Sequence, residues 1–168
     1  MYRHQETTPK PTALSVISGF DDNPSELFRS EMEKIAENMR DLPFYRHDIP
    51  CFTPNFVLFE GQWIGTVLTP WMMSIVVLPG PQQQWEERAI GDKLGLQLPY
   101  KTITFTVSGV ESVPQYLSSS LLSPLDPNLA AEQAIQLTKD CLTMLLSLPV
   151  QQQAPDLNKR NILRAMLK

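Results

Sequence analysis

The chain has 168 residues, enough for one well-buried core and no reason to divide it into two domains. Hydrophobic content of 42% and charged content of 19% are ordinary for a globular protein, while 15 prolines are many and punctuate the elements sharply. The net charge is −4, but Lys159, Arg160, Arg164 and Lys168 against Asp156 place +3 on the last nineteen residues and leave −7 on the first 149. This acidic body disfavours nucleic acid as the main partner and favours a cationic one.

Residues 1–19 are polar, contain Pro9 and Pro11, show neither helical nor strand period, and read as a flexible arm. Asn23 and Pro24 then form a cap-and-proline helix start, with Glu26 in the first turn. Phe28, Met32, Ile35 and Met39 follow on one face, the helix ends before Pro43, and Glu31, Glu33, Lys34 and Glu37 read as its solvated side. The connection Leu42–Pro54 is aromatic and punctuated by proline. His47 and Cys51 lie close together in it, which raises the alternative of a thiol-dependent hydrolase or redox enzyme. Two histidines, two cysteines and no C-x-x-C are poor material for a zinc site, so no metal, cofactor or catalytic residue is assigned.

The densest stretch runs from Phe56 to Pro81. Phe56–Phe59, Trp63–Leu68 and Trp71–Leu78 predict a three-strand antiparallel meander, turning at Glu60-Gly61 and at Thr69-Pro70. Its nearly continuous apolar content is more than one buried face needs, so either both faces are covered or one is a binding surface. Gln82–Leu94 predicts a short helix closed by Gly95. Ile103, Phe105 and Val107 alternate with threonines in a half-buried strand, and Val113–Leu122 completes a second hairpin. Asp126-Pro127 starts a second long helix with Ala130, Ala134, Leu137, Cys141, Met144 and Leu148 as its apolar face.

These elements predict an α+β fold, a two-layer sandwich in which an antiparallel sheet of about five strands packs with two longer helices and one short helix. The domain spans 20–150, after the arm at 1–19 and before a Gln-rich joint and basic tail at 151–168. The tail is read as a solubilising end, with folding back over the acidic surface as the alternative. No export signal is recognised, and no apolar stretch reaches the roughly 20 residues that span a bilayer. A cytoplasmic protein with free thiols at Cys51 and Cys141 is expected.

The blocks LFEGQWIGTVLTPWMMSIVVLPGP, GLQLPYKTITFTV and QYLSSSLLSPL, in that order, resemble the HybE family of nickel-iron hydrogenase assembly chaperones over about Leu42 to Pro149. The resemblance implies a cytoplasmic accessory protein that recognises the twin-arginine signal peptide of the hydrogenase small subunit, contacts the large subunit, and delays export until maturation is complete. It implies no membrane insertion and no nucleic acid. The rubredoxin-like module of some relatives has no counterpart in this sequence. Candidate peptide-binding residues are Glu60, Trp63, Trp71, Met72, Met73 and Tyr116. For Trp63, Met73 and Phe59 core packing is the simpler account. Trp71 and Met72 are stronger candidates because Pro70 can distort the strand start, and Glu60 at the hairpin tip could meet an arginine.

Overall fold

A computed structural model describes residues 15–147. In chain order the elements are β1 (Val16–Ser18), α1 (Ser25–Met39), β2 (Val57–Phe59), β3 (Gln62–Thr69), β4 (Met72–Leu78), β5 (Gln84–Glu86), β6 (Lys93–Gln97), β7 (Thr102–Ser108), β8 (Tyr116–Leu122) and α2 (Ala131–Leu146). Six strands form one antiparallel sheet in the order β2-β3-β4-β8-β7-β6, and β1 pairs with β5 in a separate two-stranded ribbon. The main sheet is thus two three-strand meanders joined side by side through β4 and β8.

The predicted meander forms, with Glu60 (φ 52°) and Gly61 (φ 83°) both in the left-handed region that a two-residue hairpin turn requires. Its apolar content is used on both faces. Along β3, Trp63 and Val67 join Phe28 and Met32 of α1, while Ile64 joins Leu142 and Leu145 of α2. Along β4, Val76 and Leu78 go to the α1 side, and Ile75 and Val77 to the α2 side. A strand whose alternate residues enter two cores must be covered twice, so helix, sheet and helix are stacked over the central strands, where the sequence predicted two layers. A buried hydrogen bond, Thr66 Oγ1 donating to the Thr138 carbonyl at 2.6 Å, fastens α2 to the sheet.

Four further expectations need correction. The short helix over Gln82–Leu94 does not form, because Trp85 pairs with Ile17 in the ribbon and Gly91, at φ 98°, turns the chain into β6. Residues 15–19, assigned above to the arm, are held by that pairing and by the Gly19 N–H donating to the Gln83 carbonyl at 3.0 Å. The buried face of α2 is Ala134, Thr138, Leu142 and Leu145, which leaves Cys141 half-buried and Met144 exposed. Asp126-Pro127 precedes this helix by a turn, and Asp126 accepts the Asn128 N–H instead of capping it. Leu148, Pro149 and the basic tail lie outside the described residues, as do residues 1–14. The strand at Thr102–Ser108 agrees with its period of two, with Ile103, Phe105 and Val107 buried.

Glycine permits one close approach on which the ribbon's position depends. A Cβ at Gly80 would overlap the Gly61 carbonyl oxygen, and one at Gly19 would overlap the Gly80 carbonyl oxygen. The β2–β3 tip, the exit of β4 and the end of β1 are therefore stacked backbone on backbone. Gly80→Ala should push them apart and destabilise the protein by about 2–4 kcal/mol, read as a shift of the urea midpoint, with β1 amide protection lost first.

Glu31, expected in the solvated face of α1, is buried. It accepts the Ser112 hydroxyl at 2.8 Å and the Lys34 ammonium at 3.1 Å, and these bonds, that of Ser112 foremost, hold its carboxyl below the ordinary value of 4.5. A depressed folded-state value means that the carboxylate stabilises the fold above about pH 4.5 and that this contribution is lost as pH falls through the lower, folded-state value. Glu31→Gln should therefore be less stable at pH 7 and show a shallower fall in urea midpoint than the unaltered protein on acidification below that range.

Candidate functional site

Strand β3 separates the residues singled out for peptide binding. Glu60 is exposed at the β2–β3 tip, whereas Trp71 and Met72 are at the β3–β4 turn, roughly 25 Å away by the rise of an eight-residue strand. Trp63 is buried on the α1 side and donates its indole N–H to the Phe20 carbonyl at 2.9 Å. Tyr116 shares that core, edge-on to Phe28 with ring centroids 4.9 Å apart, and burial raises its phenol pKa. Met73 is fully buried beneath the first turns of α2. Of the six, only Glu60 and the half-buried Met72 offer appreciable surface, and they lie at opposite ends of the meander.

Trp71 occupies the two-residue turn with Pro70, since Thr69 pairs with Met72. It is buried because the connection Leu42–Pro54 lies over it. Tyr45 stacks on its ring at 6.4 Å, and the Arg46 N–H donates to the Pro70 carbonyl at 2.7 Å. The Arg46 guanidinium donates twice to Asp48, at 3.0 and 2.9 Å, and reaches the carbonyls of Asp126 and Leu129 at 2.9 and 2.8 Å. One residue, through its backbone N–H and its guanidinium together, so ties three segments at this end of the sheet, a role that an arginine between two prolines does not announce in sequence.

The thiol alternative finds no support in the geometry. Among the described residues no hydrogen bond joins His47 and Cys51; His47 is exposed and packs against Tyr45 at 4.7 Å. Burial, and then the charge of Glu33, push the Cys51 thiol up to about 11, opposite to the shift that a nucleophile needs. Cys141 is also raised by burial, and both cysteines are free. Among the described residues no group of three His, Cys, Asp or Glu side chains could hold a metal, and no helix is long and apolar enough to cross a membrane.

What the molecule does present is surface suited to binding. A cavity of about 310 Å³ opens between β5 and the β6–β8 part of the sheet, floored by Trp85, Leu94, Leu96 and Leu117. Its lining has glutamines and the rim charges Glu86 and Arg88 but no histidine, cysteine or serine, so it offers shape without a nucleophile and its base. Gln115, buried there, accepts the Arg88 N–H at 2.8 Å and donates to the Glu86 carbonyl at 3.0 Å, which fixes the segment after β5. The sheet's first edge, β2, exposes Val57 and Leu58, and α1 exposes Leu27. From His47 to Glu87 the chain has no lysine or arginine.

A sequence model of the family described as NiFe-hydrogenase assembly, chaperone, HybE matches residues 23–165. The match begins earlier than the motif resemblance and continues past Pro149 into the tail. The hydrogenase-2 operon protein HybE of Escherichia coli strain K12 is 49% identical over 135 residues, 80% of this chain and 83% of that one. The hydrogenase expression/formation protein HupJ of Bradyrhizobium diazoefficiens is 29% identical over 171 residues, covering 96% and 95%. The solution structure of HybE from Escherichia coli superposes with a TM-score of 0.69 at 46% identity, over 85% of this chain and 90% of that one. With its α+β core, its sheet and this coverage in agreement, the chain belongs to the HybE family of nickel-iron hydrogenase assembly chaperones.

Proposed function

We propose that this protein is a cytoplasmic chaperone that binds the twin-arginine signal peptide of a nickel-iron hydrogenase small subunit, contacts the large subunit, and holds back export until maturation is complete. Membership of the hydrogenase-assembly family carries this reading. The surface adds a physical reason: the described residues hold 16 acidic and 8 basic side chains, and exposed apolar groups lie among them, which suits a peptide that is cationic at one end and apolar beyond it. The protein acts by occupancy. A bound signal segment is withheld from the export machinery for as long as its dissociation is slow, and that requires no covalent chemistry.

Titration with the small-subunit signal peptide, followed by amide shifts, should give saturable binding at micromolar concentrations, with Kd rising as salt screens the arginines. Absence of a saturable change would remove the peptide from the proposed role. A Cys51→Ala variant should still support the appearance of processed, exported small subunit in cells; loss of that product with the fold intact would restore the thiol enzyme as the better reading.

A further inference from the structure

The outermost strand of the main sheet has a pairing partner on one side only among the described residues. β2 is its first strand, and among the described residues none pairs with the edge away from β3. Phe59 and Gln62 close the two-residue turn, so they exchange backbone hydrogen bonds, and alternation along the ladder turns the Leu58 N–H and C=O outward. Such edges template further strands, and proteins usually blunt them with lysine, proline or a covering element. Val57, Leu58 and Phe59 include neither lysine nor proline. Leu58 is 52% exposed and Val57 38%.

The first turn of α1 is fastened alongside. Asn23 Nδ2 donates to the Phe56 carbonyl at 2.7 Å, and Thr53 Oγ1 to the Ser25 carbonyl at 3.0 Å. These bonds hold the start of α1, where Leu27 is 39% exposed, against the entry to β2. Asp21, Asp22 and Glu26 are exposed on this segment, which has no basic residue from Ser15 to Phe28, and Glu60 is exposed at the other end of β2. An apolar backbone edge is thus flanked by carboxylates at both ends.

We propose that the outer edge of β2 is the docking site for an extended segment of another polypeptide, with basic residues next to apolar ones, which adds to the sheet as a seventh strand. Main-chain hydrogen bonds to Leu58 supply affinity, successive apolar side chains of the added strand meet Leu58 on the α1 face of the sheet and Val57 on the α2 face, and the flanking carboxylates meet the cationic end. The proposal rests on the client-peptide reading above and gives that client a place and a backbone conformation.

The experiment titrates the full chain with the twin-arginine signal peptide at low salt, and compares Leu58→Lys and two peptides N-methylated at alternate backbone positions in opposite phases. Leu58 is exposed, so the lysine variant should keep the circular dichroism of the parent while binding at least about tenfold more weakly. One N-methylated peptide should lose binding and the other keep it, because only one phase of an added strand donates to the edge. Equal binding by both peptides together with unchanged affinity of Leu58→Lys would overturn the docking site while leaving client binding intact; no binding by the parent would overturn both. A concentration-dependent dimer that Leu58→Lys dissociates, with peptide affinity unchanged, would assign the edge to a second copy of the chain and also overturn the proposal.

Discussion

Seven residue pairs between β3 and β4, from Trp63 opposite Leu78 to Thr69 opposite Met72, form the ladder on which the rest is assembled. Both strands are buried from both sides, so neither helix alone could satisfy them. Fully burying a Val, Leu or Ile side chain contributes about 1.5–3 kcal/mol, and this ladder presents such residues in each phase of its pleat. α1 answers one phase with Phe28 and Met32, and α2 answers the other with Leu142 and Leu145. With both faces of its centre occupied, the sheet exposes its edges and loops.

That explains why aromatic and methionine residues are poor guides to exposed surface in this chain. In the sequence, Trp63, Trp71, Met73 and Tyr116 stand out by rarity and size, which are the properties that also make a residue valuable to a core. The structure buries all four. Leu58 carries no comparable signal: it is an ordinary leucine in an apolar run, and its exposure depends on which strand lies beside it. The strand order, β2 first and β4 beside β8, is set by pairings across the chain that local residue patterns do not encode.

Other parts were legible for identifiable reasons. The Glu60-Gly61 turn, the Thr69-Pro70 break and the threonine alternation in β7 are local devices whose geometry is dictated by the residues themselves. The segment Gln82–Leu94 failed because its glutamine, glutamate and alanine content has helical propensity, which the pairing of β5 with β1 overrides. The stripe on α2 was misplaced because Thr138 is buried through a hydrogen bond to Ala134 and the bond its carbonyl accepts from Thr66, so a polar residue holds a position that hydropathy assigns elsewhere. Glu31 departs from the solvated face for a similar reason, its partner Ser112 being 81 residues away.

The junction of the two meanders has a bearing on how the chain reaches this state. Within each meander the strands are neighbours in sequence and can pair over short loops, but Ser74 and Ser120, which meet across β4 and β8, are 46 residues apart. Loop closure of that length is the kind of contact that slows folding, whereas hairpins form in microseconds. Between Met73 and Ser74 the pairing slips, so that Leu122 takes the place opposite Met73 that Leu121 would otherwise hold. Leu121 and Leu122, both half-buried, pack against the core under the start of α2 as a result. A mispaired junction without that slip would leave one leucine facing the wrong way, which gives the searching chain an energetic criterion for recognising the native register.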